Sequence, residues 1–243
     1  KGKAKPSASA TTPGGEKSYK RASDPSKRFT PPNKIGKQGG KAAVNTADIG
    51  TREGARALVE QCVHEFGAIH AMVNNAGNVR DRSFLKMSDE EFGEVLRVHV
   101  HGTFMCSQEA ARRMREQASG GSIVNTVSAA HFGSFGQTNY AASKGAIASM
   151  TYTWALELAR YGIRVNAISP GPMKTLAGAA IGGARKTFRH TEANSPLRQN
   201  ATLESIGGTA VYLASPYGEC TTGEIITVDC GFHVLGMPQP ENL

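Results

Sequence analysis

Tyr140 and Lys144, in the stretch NYAASK at residues 139–144, stand four positions apart in a segment that reads as a helix. Four residues is about one helical turn, so the two side chains rise on one face. An ammonium held near a phenol favours the phenolate and pulls down a pKa that is otherwise about 10. A tyrosine so tuned can trade protons near neutral pH. The same spacing also fits a half-buried Tyr beside a solvated Lys, and the surrounding elements must decide between the two.

From residue 41 onward, strand-like and helix-like stretches alternate, the pattern of a parallel sheet flanked by helices. KAAVNTAD at 41–48 is expected to be a short strand. TREGARALVEQCVHEFG follows, with Ala55, Leu58, Val59, Cys62, Val63 and Phe66 spaced along one helical face. IHAMVNNAG (69–77), GSIVNTVS (121–128), GIRVNAIS (162–169) and GEIITVD (223–229) read as strands. Ser88 with Glu91 three residues on predicts a capping box at the start of a helix; further helices are expected near 139–160 and 203–215. Polar or small residues collect where the strands end, at Asn74 to Gly77, at Ser128 and at Ser169 to Thr175. Open α/β sheets bind ligands at the carboxyl edge of their strands, so these stretches and the Tyr–Lys pair are expected to converge on one crevice.

The chain has 243 residues, enough for one sizeable core, with 39% hydrophobic and 20% charged residues. Its charge is uneven: residues 1–40 hold 10 Lys+Arg against Glu16 and Asp24, while residues 41–243 hold 18 of each sign, so the tail carries the whole +8. That tail is rich in Lys, Ser, Pro, Thr and Gly, with few large apolar residues to offset the entropy of ordering. The expected organisation is a basic, mostly disordered tail over 1–40 and one α/β domain over 41–243. The tail does not interleave aromatics with its basic residues as a single-strand groove would, so no nucleic-acid partner is expected. No apolar run reaches 18 residues, so no membrane span is expected. Cys62, Cys106, Cys220 and Cys230 lie far apart, without zinc-ligand spacing. They are expected to be reduced thiols in a cytoplasmic setting, with no metal bound.

The ordered set NNAG at 74–77, Ser128 at a strand end, YAASK at 140–144 and PGPMKT at 170–175 resembles the short-chain dehydrogenase/reductase family over about residues 40–235. The resemblance implies a Rossmann-like, doubly wound parallel sheet and NAD or NADP as cofactor. It implies catalytic roles for Ser128, Tyr140 and Lys144. Tyr140 would exchange a proton with the substrate oxygen, Lys144 would hold the nicotinamide ribose and tune the phenol, and Ser128 would donate to the same oxygen. Ser128 lies 12 residues before Tyr140, whereas Val127 occupies the commoner 13-residue position. Asn75, Ala76 and Gly77 would line the adenosine side, Asp48 and Ile49 would border the adenine, and Pro170, Gly171 and Thr175 would meet the nicotinamide. Asp48 reads equally as a strand-end cap. The stretch after Thr175 has the composition of a substrate lid.

Within the family, RDRSFLKMSDEEF, VHVHGTF and FGQTNYAASK are similar to 3-oxoacyl-carrier-protein reductases and to the (3R)-hydroxyacyl-CoA dehydrogenases of multifunctional enzymes. RVNAISPGPMKTLAGAAI and TGEIITVDCGF are similar instead to enoyl-carrier-protein reductases, which place Lys about seven residues after Tyr; position 147 here is Ile. The resemblance therefore implies a small-molecule or acyl-thioester substrate, with carbonyl chemistry favoured by the spacing, and a homodimer or homotetramer. Two departures qualify it. His99 stands where many members carry a network Asn, so it is either a proton relay or a helix-interior residue. The glycine-rich turn that holds a dinucleotide pyrophosphate has no counterpart, since Gly14 and Gly15 follow no apolar strand. The first β-α-β unit is thus expected to be missing or degraded. Three readings follow: a truncated product, a cofactor-deficient interaction module, or an active reductase with a different cradle.

Overall fold

The computed structural model describes residues 39–173 and 184–234. Four strands form one parallel sheet in the order β1(Ala71–Asn74), β2(Gly121–Thr126), β3(Ile163–Pro170), β4(Ile225–Val228). Met72 pairs with Ile123 and Ile123 with Val165, so one register runs across the first three strands. The Ile and Val content and near-complete burial of β2 and β3 suit the centre of a sheet covered on both faces.

Strand alternation sorts the core into two layers. Ile123 and Val165 face α1(Arg52–Phe66) and α3(Gly102–Gln117), where Ala55, Val59, Ala110 and Met114 complete an apolar cluster. Val127 and Ala167 meet Ile147 and Ala148 of α4(Thr138–Leu158). Val124 and Ile168 point the other way, onto Leu213 of α6(Leu203–Ala214). Helices on both faces make the sheet doubly wound, as the alternating pattern predicts.

Local signals set the helix ends. Thr51 caps α1 through the Gly54 N–H, and Gly67 closes it at φ +83°, a left-handed turn open to glycine. The Ser88–Glu91 capping box forms at the start of α2(Asp89–Leu96). A wide π turn over Arg97–His101 joins α2 to α3. Short helix α5(Ala184–Asn194) precedes α6.

Two expectations need correction. Residues 41–48 form no strand. KAAVNTAD offers one large apolar residue, Val44, and a strand so poor in side-chain packing depends on a neighbour to pair with. Phe66, counted on the buried face of α1, is 46% exposed at the last turn of the helix. At the far end of the sheet, Val73 lies on the α6 face of β1 and is 48% exposed, because no described helix covers it there. Among the described residues no further strand pairs with β1 on its outer side.

Candidate active site

Tyr140 sits in the first turn of α4, half-buried, at the carboxyl edge of β2. Lys144 follows one turn later and is only 4% exposed. Its Nζ donates to the Thr126 carbonyl at 2.6 Å, at the last residue of β2, and lies 5.4 Å from the centre of the Tyr140 ring. The two groups therefore share one face and one crevice. Ser128 closes the third side: its hydroxyl hydrogen-bonds the Tyr140 side chain and also accepts from the Ala130 N–H at 3.3 Å. Val127, one residue earlier, is buried beneath α4.

Burial governs the electrostatics. Desolvation raises the Tyr140 pKa above its ordinary value, the Ser128 hydrogen bond opposes that shift, and the Asp81 carboxylate adds to it. The Lys144 ammonium is pulled from 10.5 to about 8 by its own desolvation. The expected downward tuning of the phenol is thus not what the site gives. Removing both groups from water costs more than the pair recovers at this separation, and the phenol stays protonated at neutral pH. A protonated phenol is a proton donor, the form a carbonyl reduction requires.

His99 is drawn into the same crevice by the π turn, 3% exposed, with its ring edge-on to Tyr140 at 5.4 Å between centroids. Its Nε2 meets both the Asn78 N–H at 3.0 Å and the Asn78 carbonyl at 2.8 Å, and can serve only one of them in a given tautomer. Burial lowers its pKa to about 4, with the Lys144 charge acting in the same direction, so the ring is neutral at physiological pH. His99 is thus a buried residue of the π turn whose ring also holds the loop after β1. Gly77 is required by that contact, since an added Cβ would come within 2.3 Å of the His99 ring.

The other residues marked by the resemblance fall in three places. Asn75, Ala76 and Gly77 line the exposed carboxyl end of β1, where Asn75 Oδ1 accepts from Thr126 Oγ1 at 3.4 Å. Pro170 and Gly171 end β3, and Gly171 packs so closely on Asp229 that a Cβ would lie 2.6 Å from the aspartate Cβ. Asp48 and Ile49 precede α1. The Asp48 carboxylate accepts from Gly50 N–H at 2.9 Å and from Arg97 at 2.8 Å, and Ile49 packs against the α1–α3 core. Thr175 and the following lid stretch to residue 183 lie outside the described residues.

Sequence reasoning missed the residues that hold α4 in place. Asn139 is fully buried: its Nδ2 donates to the Arg80 and Glu91 carbonyls at 2.9 and 3.0 Å, and its Oδ1 accepts from the Tyr140 N–H at 2.8 Å. Beneath the site, Asn74 donates to Asn125 and Asn125 to Thr151, a buried chain linking β1, β2 and α4. Asparagines beside a motif carry no periodicity signal; only the partner carbonyls reveal them.

A nicotinamide fits the crevice on the chain's own chemistry. Ser169 Oγ, Asn78 Oδ1 and His99 Nδ1 are buried without a hydrogen-bond partner, and Lys144 has donors beyond the one given to Thr126. The pyrophosphate half is different, for no glycine-rich strand-to-helix turn occurs among the described residues.

Comparison with known proteins agrees with this geometry. The family model described as "Enoyl-(Acyl carrier protein) reductase" matches residues 24–233. The short-chain reductase protein NovJ of Streptomyces niveus is 41% identical over 198 residues, covering 79% of this chain and 75% of that protein. The 3-oxoacyl-[acyl-carrier-protein] reductase FabG of Thermotoga maritima is 36% identical, covering 79% and 77%. A crystal structure of a short-chain type dehydrogenase/reductase from Mycobacterium marinum superposes with a TM-score of 0.76 at 32% identity, covering 83% of this chain and 79% of that one. A doubly wound sheet with these relatives defines a dehydrogenase-type oxidoreductase. The chain belongs to the short-chain dehydrogenase/reductase family, whose members generally use NAD(P)(H).

Proposed function

We propose that the protein transfers hydride reversibly between NAD(H) or NADP(H) and a hydroxyl or ketone carbon, with a 3-oxoacyl or 3-hydroxyacyl thioester as substrate. One observation carries this reading: Ser128, Tyr140 and Lys144 meet at the carboxyl edge of the sheet with the phenol protonated at neutral pH. In the reducing direction Tyr140 gives its proton to the carbonyl oxygen, while the Ser128 hydroxyl donates to the same oxygen and stabilises the charge that develops there. Lys144 holds the ribose hydroxyls with its remaining N–H groups and, as a cation beside the phenol, eases loss of that proton. His99 with Gly77, and Pro170 with Gly171, are the residues that would hold the nicotinamide. The nicotinamide, when bound, supplies or accepts the hydride.

The thioester class is supported by two relatives: the FabG reductase, and an acetoacetyl-CoA reductase of an Acinetobacter species at 35% identity. The four-residue Tyr–Lys spacing supports carbonyl over enoyl reduction. The competing reading, a cofactor-deficient interaction module, draws on the missing glycine-rich turn; nicotinamide fluorescence on titrating NADPH and then NADH separates the two, absence of binding favouring the module. The four free cysteines support a reducing, cytoplasmic setting, and no described helix is long and apolar enough to cross a membrane.

Tyr140→Phe tests the chemistry. With acetoacetyl-CoA and either reduced cofactor, turnover should fall about 10²- to 10⁴-fold while the circular dichroism and melting temperature stay unchanged. Full turnover in the variant would remove Tyr140 from the mechanism.

A homo-oligomer is part of the same reading. The outer face of α4 exposes Leu156 at 84% and Tyr152 at 51%, and α3 and α4 also border a groove of about 200 Å³ walled by Phe104, Trp154 and Tyr161. This groove lies toward the far end of α4, about 20 Å along the helix from Tyr140, and belongs to assembly rather than chemistry. Sedimentation velocity should show a dimer or tetramer; a monomer at micromolar concentration would discard this part.

A further inference from the structure

The loop after β1 is bound to the start of α4 through three consecutive residues, Arg80, Asp81 and Arg82. The Arg82 N–H donates to the Gly136 carbonyl at 2.8 Å, and Asn139 Nδ2 donates to the Arg80 carbonyl at 2.9 Å. Asn139 also reaches the Glu91 carbonyl of α2, and Gln137 Nε2 donates to both oxygens of Asp81, at 3.0 and 3.1 Å. Gln137 is the residue at the N-cap of α4, three positions before Tyr140. It therefore fixes the Asp81 carboxylate about one helical turn on the N-terminal side of the phenol, while Lys144 stands one turn on the C-terminal side. The helix N-terminus itself favours a negative charge at that place.

We propose that Asp81, held by Gln137, is a positioning residue for the proton donor: a fixed negative charge on the other side of Tyr140 from Lys144 that adds to burial in favouring the protonated phenol. It rests on the reading of Tyr140 as proton donor. Arg80 and Arg82, its neighbours, are turned onto α2 and paired with Glu94 and Glu91. The remaining groups that face the phenol are Lys144 on α4, the neutral His99 ring from the π turn, and the Ser128 hydroxyl after β2; His131 is turned to the Ser128 carbonyl at 2.5 Å. The direction of the Tyr140 shift, raised in part by Asp81, agrees with this placement.

The test reads the phenol directly, without cofactor or substrate. Residue 140 is replaced in the full chain by 3,5-difluorotyrosine, whose phenol titrates within the range where the protein stays folded, and the ¹⁹F shift is followed against pH. Asp81→Asn should lower the midpoint by about half a unit in 20 mM salt, and by less in 0.5 M NaCl, since the carboxylate is exposed. Gln137→Ala, which frees the carboxylate, should lower it by part of that amount, and Lys144→Met should raise it. Asp89→Asn, an equal charge change at the start of α2, should leave the midpoint in place. An Asp81→Asn midpoint within 0.1 unit of the parent, or an equal shift in Asp89→Asn, overturns the proposal. Neither result touches the proposed reaction, which fails instead if Tyr140→Phe retains turnover.

Discussion

The carboxyl-edge cluster and the β1 edge are neighbours in the fold, yet the first is closed over and the second is partly exposed. Around Tyr140, Lys144, His99, Asn139 and Ser143 are each at most 4% exposed and, charged or polar as they are, hold hydrogen bonds. Three residues from that cluster's Gly77 wall, Asn74 sits in a buried amide chain while Val73, its neighbour, is 48% exposed. The difference lies in how far each depends on distant chain. The cluster is assembled from a turn of helix and two strand ends already fixed by β2 and β3; an apolar residue at the sheet edge needs a further strand and helix to cover it.

Paired substitutions probe that contrast in the core. Ile123→Ala, in the fully buried centre of β2, should cost about 3–4 kcal/mol in urea unfolding, whereas Val73→Ala should cost under about 1 kcal/mol. Equal costs would mean that β1 is covered in solution and the contrast is false.

The closed region should also bear the strain of its own charges. A lysine whose pKa falls from 10.5 to about 8 on folding binds its proton less tightly in the folded state, so stability rises with pH between about 8 and 10.5. Lys144→Met should remove that penalty, about 3 kcal/mol at pH 7 less roughly 1 for the lost bond to Thr126, and so raise stability by about 2 kcal/mol while abolishing turnover. Above pH 10.5 the penalty is gone and the order should reverse, the parent being the more stable by roughly 1 kcal/mol. A variant less stable than the parent at pH 7 would show that Lys144 is a net structural asset.

His99 gives the smallest and most selective effect. Its pKa is depressed from 6.5 to about 4, so its contribution is intact above pH 6.5 and is lost as pH falls toward 4. At pH 5.5 the parent should have lost roughly 1 kcal/mol through this group, and His99→Asn should remove that part of the acid dependence. An unchanged slope between pH 6.5 and 5 would place the ring in water rather than against Tyr140.

Sequence periodicity placed α1, α4, α6 and all four strands within a few residues, because their apolar spacing and caps are local properties. KAAVNTAD shows the limit. Its composition permits a strand, and only a pairing partner would make it one. The site divides the same way. Tyr140, Lys144 and Ser128 were legible from type and spacing, whereas Asn139, Gln137 and Asp81 were not, since their work is done through hydrogen bonds spanning 48 to 59 positions.

By itself the sequence determined that a phenol and an amine share one helical face at the end of a parallel sheet, for a four-residue interval leaves a helix no other arrangement. The tertiary structure alone decided what that pair is: burial outweighs the amine's attraction and leaves the phenol protonated, because the cost of desolvation depends on the walls that His99, Ser128 and the loop after β1 bring around it.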